Sequence, residues 1–181
     1  MATPFRSALT LLSLYAEYHR DRRNILTHFI GVPMIVFAVG VLLTGVHFVI
    51  GGYEVTLAWL TFAAVALWYL SRGHLGIGAA TTLGVGLLMW LAHRVANTTV
   101  WQWTAWWAGF FVVGWIFQFI GHYYEGKKPA FVDDLVGLLV GPMFVVLELL
   151  APLGLFKGLM VDIERQVGPT IIRDLAHPAT R

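Results

Sequence analysis

Apolar residues run through this chain in long blocks broken by short polar clusters. Residues 5–20 mix Leu and aromatic positions with polar ones, and Leu9, Leu12, Tyr15 and Tyr18 fall at helical spacing. This segment is too polar to cross a bilayer and predicts a helix lying in the interface. It ends in a charged break, Glu17-Tyr18-His19-Arg20-Asp21-Arg22-Arg23-Asn24. The apolar run over residues 25–50 exceeds the ~20 residues a spanning helix needs. Pro33 inside it predicts a kink or a late start. Gly51-Gly52-Tyr53-Glu54 predicts a turn. Residues 55–70, 75–91 and 101–120 are three further apolar runs, separated by Ser71-Arg72-Gly73-His74 and by Ala96-Asn97-Thr98-Thr99. Trp101, Trp103, Trp106 and Trp107 open the last of these as an interfacial aromatic belt. Residues 131–150 are apolar but carry Asp133, Asp134, Pro142 and Glu148, which fits a fifth span or a helix pair that dips in and returns.

The pattern predicts an all-α, polytopic helical membrane protein with four to five spanning helices and an N-terminal interfacial helix. It reads as one helical domain: residues 1–24 the interfacial helix, 25–153 the membrane bundle, 154–181 a surface tail. Composition agrees. The 181 residues are 58% hydrophobic and 12% charged, about half the ~25% of soluble domains. The basic residues are scattered, without the run or aromatic-basic ladder that would suggest nucleic acid. Cysteine is absent, which excludes disulfides, thiolate catalysis and Cys-based metal sites. The amino terminus lacks an apolar core ending in a small-residue cleavage site, so no removable signal peptide is expected.

Charge placement sets the topology. Arg20, Arg22 and Arg23 precede the first span, Arg72 follows the second, and Lys127 and Lys128 follow the fourth, whereas the turn at 51–54 has no basic residue. The side holding most of them is expected to be cytoplasmic. This assigns His19, His28, His74 and His122 to the cytoplasmic end, with His47 and His93 about 30 Å away across the hydrocarbon core. His177 sits in the tail. One metal site cannot draw on both ends, so the cytoplasmic histidines are the candidates.

His19 and His28, nine residues apart, would point in opposite directions on one helix, but the charged break lets them face each other from two. His122 and Glu125 are three apart and share a helix face. Two imidazoles and a carboxylate make up the facial set of non-haem Fe(II) sites. The plain alternatives are interfacial histidines bonding headgroups and a surface Glu paired with Lys127 or Lys128, a pairing worth little. Asp133 and Asp134 suit the cap of a following helix, and Asn24 suits an N-cap. Gln118, polar within a span, either orients a ligand histidine from behind or bridges two helices. The glycines at 73–86 lack phosphate-loop spacing, and no serine-nucleophile signature occurs.

Two stretches carry a family resemblance. Tyr18-His19, Asn24, His28 and Gly31-Val32-Pro33 resemble the amino-terminal signature of the Mpo1-like family, formerly a domain of unknown function. Gly114-Trp115, Gln118-Phe119-Ile120-Gly121-His122, Glu125-Gly126-Lys127-Lys128-Pro129, Asp134-Leu135 and Gly141-Pro142 resemble its carboxy-terminal signature, closest to the bacterial branch. The fungal member is an endoplasmic-reticulum Fe(II)-dependent dioxygenase of fatty-acid α-oxidation that shortens 2-hydroxy fatty acids by one carbon. The resemblance implies His19, His28 and His122 as iron ligands. Fungal members carry the corresponding Glu one residue farther from the His, a step that turns a helical side chain by about 100°.

The leading expectation is therefore an Fe(II)-dependent dioxygenase taking a 2-hydroxy fatty acid and O2 at the cytoplasmic face of a membrane, the inner membrane in a bacterium or the endoplasmic reticulum in a eukaryote. In it Glu125 and Tyr123 (or Tyr124) act beside the iron. Arg20, Arg22, Arg23, Lys127 and Lys128 attract the carboxylate, and Asn24 and Gln118 support the ligands. The competing expectations are a zinc hydrolase, a two-metal lipid hydroxylase, and a non-enzymatic membrane scaffold. A transporter is disfavoured because the spans are nearly free of ionisable groups.

Overall fold

The computed structural model describes residues 5–96, 98–127 and 136–174. Lys128, Pro129, the Asp133-Asp134 pair, Asn97 and His177 lie outside these residues. The elements run α1 (Ala8–Ala16), α2 (Arg22–Thr44), β1 (His47–Ile50), β2 (Tyr53–Thr56), α3 (Leu57–Leu70), α4 (Leu75–Ala96), α5 (Val100–Glu125), α6 (Val136–Leu150), a short 3-10 turn (Ala151–Leu153) and α7 (Lys157–Val167). Among the described residues, four stretches are long and apolar enough to cross a membrane: α2, α4, α5, and α6 with its 3-10 turn; α3 is a shorter apolar helix. Many large apolar side chains face outward, with Leu67 70% and Leu83 75% exposed, a surface that suits lipid rather than water.

The apolar run expected as one span over 25–50 divides in two. Thr44 ends α2 and Gly45 caps it. His47-Phe48-Val49-Ile50 then pairs antiparallel with Tyr53–Thr56, Ile50 opposite Tyr53. Gly51 and Gly52 both take positive φ, 59° and 84°, as a tight hairpin turn of the primed type requires. Hydrophobicity alone does not distinguish the helical part from the strand; the Gly-Gly pair and the β-branched and aromatic residues before it do. Pro33 lies inside α2, which runs on through it. The N-cap of α2 is Asp21, whose carboxylate accepts from the Arg23 amide at 2.8 Å, rather than Asn24, which lies inside the first turn with its side chain used elsewhere.

Glycines line the most extensive helix contact, that of α2 with α5. A Cβ on Gly31 would lie 2.8 Å from the Gly114 carbonyl oxygen, and one on Gly121 would collide with Thr27 and Asn24. Such small-residue seams let membrane helices approach closely. Gly121→Ala is expected to cost about 1–3 kcal/mol by overpacking, read as a lower thermal midpoint of the detergent-solubilised protein. An unchanged midpoint would mean the seam has slack.

The end of the bundle where α2 begins, called here the near end, also gathers the rest of the chain. Lys127 Nζ, just past α5, donates to the Glu17 carbonyl at 2.7 Å. Glu148 in α6 approaches Arg20 at 3.5 Å, and the Phe156 ring lies 5.7 Å from that of His74. Lys127 at the end of α5 and Glu148 in the last turn of α6 thus lie at the same end of the bundle. α7 and residues 171–173 also lie at the near end. α1 packs there with α6 and α7, burying Leu11, Leu12, Phe144, Leu147 and Ile163 in one apolar cluster. Tyr18, which would have extended the α1 face, falls beyond the helix end at Glu17.

Candidate metal centre

Three elements bring His19, His28 and His122 together. His19 stands in the link between α1 and α2, His28 two turns into α2, and His122 in the last turn of α5. One ring nitrogen from each lies within 4.8 Å of the others, and all three residues are buried. The ring centroids are 4.5 Å (His19–His28), 4.9 Å (His19–His122) and 5.2 Å (His28–His122) apart. Among the described residues this is the one such group.

The hydrogen bonds assign protons. His19 Nδ1 is 2.7 Å from the Tyr15 carbonyl oxygen, and His28 Nδ1 is 2.9 Å from that of Asn24. A carbonyl only accepts, so both Nδ1 atoms carry the proton and donate. Both Nε2 atoms are then bare lone pairs, and they face each other at 3.1 Å. Burial first, then the charges of His28 and His122, push the His19 imidazolium well below its ordinary range. His122 adds a buried Nδ1 without a hydrogen-bond partner. Lone pairs converging in a buried space are a donor set suited to a cation, and imidazole nitrogens suit iron, zinc or copper. Carbonyl bonds to the far ring nitrogens fix tautomer and orientation, as around bound metals generally.

Glu125 shares a face with His122 as its spacing predicts, but it is not part of the group. It is fully buried. Its Oε2 accepts from the Arg20 amide (2.9 Å), the Asp21 amide (2.7 Å) and Asn24 Nδ2 (3.2 Å). Its Oε1 lies 2.7 Å from Arg173 Nη2. The carboxylate thus anchors the loop that carries His19. Asn24 joins the two halves: its side chain also donates to the Tyr18 carbonyl, and its own carbonyl receives the His28 proton.

The expected cations have other partners. Arg20 is buried, donating to the Ala16, His19 and Gly168 carbonyls and approaching Glu148. Arg23 makes a two-pronged pair with Asp21 and stacks over Tyr124 at 4.5 Å. Lys127 is held by Glu17 and lies over Tyr18. Tyr123 is 72% exposed, because one residue past an inward His122 a helix has turned by about 100°. The tyrosine beside the group is instead Tyr15, whose ring stacks on His19 at 4.0 Å and 6°. Burial raises the Tyr15 phenol, keeping it protonated. Gln118, one helical turn before His122, is buried and lines a cavity with it; its Nε2 has no partner. His93 and His74 serve locally. His93 Nδ1 donates to the Met89 carbonyl while its Nε2 accepts from Thr56, and His74 Nδ1 accepts from the Ile77 amide.

The tail supplies parts with no signal in the sequence. Ile171 bridges Asp21 in parallel, exchanging backbone bonds with Arg20 and Arg22 at 2.8 Å each. The Arg173 amide donates to Asp21 Oδ2 at 2.8 Å. Burial alone would raise the Asp21 carboxyl, but bonds from the Arg23 side chain and from the Arg173 and Arg23 amides outweigh it and hold it below the ordinary carboxylate range.

Residues 5–153 match the family model described as "2-hydroxy-palmitic acid dioxygenase Mpo1-like". The chain belongs to the Mpo1-like family. A curated relative, the 2-hydroxy-palmitic acid dioxygenase MPO1 of Saccharomyces cerevisiae, is 33% identical over 159 residues, covering 86% of this chain and 87% of that protein. No solved structure matches. The Mpo1-like match takes in all three histidines and Glu125 but ends before Arg173.

Proposed function

We propose that this protein is a membrane-embedded dioxygenase that shortens 2-hydroxy fatty acids by one carbon, with Fe(II) held by His19, His28 and His122. The observation that carries this reading is the convergence of imidazole lone pairs beside an apolar cavity of about 370 Å³, lined by Tyr15, Gln118 and His122 at one end. The naming of the yeast relative supplies the substrate class. The net reaction balances: a 2-hydroxy acid and O2 give the acid one carbon shorter, CO2 and water. Bound iron would supply the redox chemistry on O2 and a chelation point for the carboxylate and hydroxyl.

The chain's own residues do the rest. The Tyr15 and Asn24 carbonyls hold the protons of His19 and His28 away from the site. Gln118 Nε2 offers a donor to the acid's oxygens, and the Tyr15 ring covers the His19 face. Glu125 and Asn24 fix the loop that positions His19. Arg23 and Lys127 add positive potential at the near end, where an anionic headgroup approaches. By the basic-residue rule this end faces the cytoplasm, in a bacterium at the inner membrane. The test is purified protein loaded with Fe(II) without oxygen, then given 2-hydroxypalmitic acid and O2. Stoichiometric O2 uptake and the fifteen-carbon acid are expected. Bound zinc with no O2 uptake would replace this reading with a hydrolase.

A further inference from the structure

We infer that the cavity beside the three histidines is an acyl-chain slot in which Val39 and Leu43 set the length of fatty acid accepted. This rests on the proposed reading for the headgroup chemistry, but the slot itself is drawn from geometry. Two helices contribute stripes along it. On α2 the lining residues run from Val32 through Val39 to Leu43; on α5 they run from His122 through Gln118 to Phe111. Each stripe covers twelve residues, eleven steps or about 16 Å at the helical rise. The two helices run in opposite directions, so the polar end of the α5 stripe meets the Val32 end of the α2 stripe.

The slot is polar at one end only. His122, Gln118 and Tyr15 stand there, and beyond them the lining is apolar apart from Tyr69 and Thr61, running on to Leu43, Phe62 and Met89. Gln118, 94% buried, packs its Nε2 beside Gly31 of α2 without a hydrogen-bond partner, which leaves a donor unused at this end of the slot. A ligand with one hydrogen-bonding head and a single long tail fits this asymmetry. The tail length fits too: one leaflet of lipid chains fills half of a hydrocarbon core about 30 Å thick, or about 15 Å. The occupant is therefore the free 2-hydroxy acid, head at the histidines and methyl end at Leu43. A phospholipid would have to bring its bulky headgroup into the buried space beside His19.

Val39 stands about two-thirds of the way along, some 10 Å past Val32. Val39→Phe is expected to raise the ratio of kcat/KM for a short over a long 2-hydroxy acid by at least about tenfold, the scale of one misplaced methylene in an apolar pocket. Leu43→Ala is expected to move the preference the other way, toward longer chains. A photoreactive 2-hydroxy acid with its reactive group at the methyl end gives a readout that needs no turnover. It should label the wild-type protein around Leu43, Phe62 and Met89, and in Val39→Phe only shorter probes should do so. Labelling spread over the outward-facing Leu83 and Leu87, with chain preference unmoved in both variants, overturns the slot even if turnover persists. Far-end labelling that shifts with Val39→Phe in a protein that never consumes O2 upholds the slot and removes the dioxygenase reading.

Discussion

His28→Ala is expected to lose both bound metal and turnover. His28 is 1% exposed, its Nδ1 is tied to the Asn24 carbonyl, and its Nε2 faces His19 Nε2 at 3.1 Å. Alanine removes one of three donors and leaves a cavity that no nearby side chain fills. Loss of an outer-shell partner typically weakens metal affinity by 10–100-fold, and loss of a ligand should exceed roughly that. Elemental analysis of the purified variant reads the metal, and mass spectrometry reads the shortened acid. His74→Ala is the control. That residue lies at the same end of the bundle but bonds only its own helix and packs on Phe156, so metal content should be unchanged. If His28→Ala retained a full complement of metal, the three-imidazole centre would be wrong, whatever its activity.

Glu125→Ala is expected to be the most destabilising single change at the near end. The carboxylate is completely buried, accepts three hydrogen bonds and faces one guanidinium, so its removal takes an acceptor from four donors, two of them buried backbone amides. Breaking a buried pair from one side costs about 3–5 kcal/mol. At about 2–4 °C per kcal/mol for a chain of this size, the midpoint should fall by roughly 6–20 °C. Glu125→Gln separates two roles. As an anchor, the amide oxygen still accepts from the loop, and metal content should survive with a smaller loss of stability. As a ligand, the carboxylate would be irreplaceable and metal content would collapse. Arg173→Ala should also destabilise, because it leaves the buried carboxylate without its counter-charge. Wild-type stability in Glu125→Ala would show that the loop is held by other means.

The spanning helices could be read from the sequence because bilayer thickness demands long apolar runs, and residues 75–91 and 101–120 lie within longer helices that run on past them at the carboxy-terminal end. The hairpin was hidden because Phe48, Val49 and Ile50 are as apolar as the helix before them. Sorting histidines by membrane side narrowed the candidates to His19, His28, His74 and His122, and the family resemblance picked out the three that meet. The Glu125 face was legible from its i, i+3 spacing with His122, but its task was not, since backbone amides have no sequence signature. Arg20, Arg23 and Lys127 looked like free cations because a sequence shows charge and not its partners. Tyr123 stood next to His122 in the chain but pointed away, while Tyr15, more than a hundred residues off, stacked on the site. The slot was illegible for another reason: it is the space left between packed stripes, and no single residue encodes it.

The Arg173–Glu125 pair also orders events in time. Glu125 leaves the ribosome forty-eight residues ahead of Arg173, a lag of roughly 2–10 s at ordinary rates of synthesis. During that interval the loop carrying His19 has its carboxylate anchor without the anchor's counter-charge. The loop's anchor is thus completed by a segment made after every family-matched residue, and a chain cut before Arg173 would carry a buried acid without its partner guanidinium beneath its histidines.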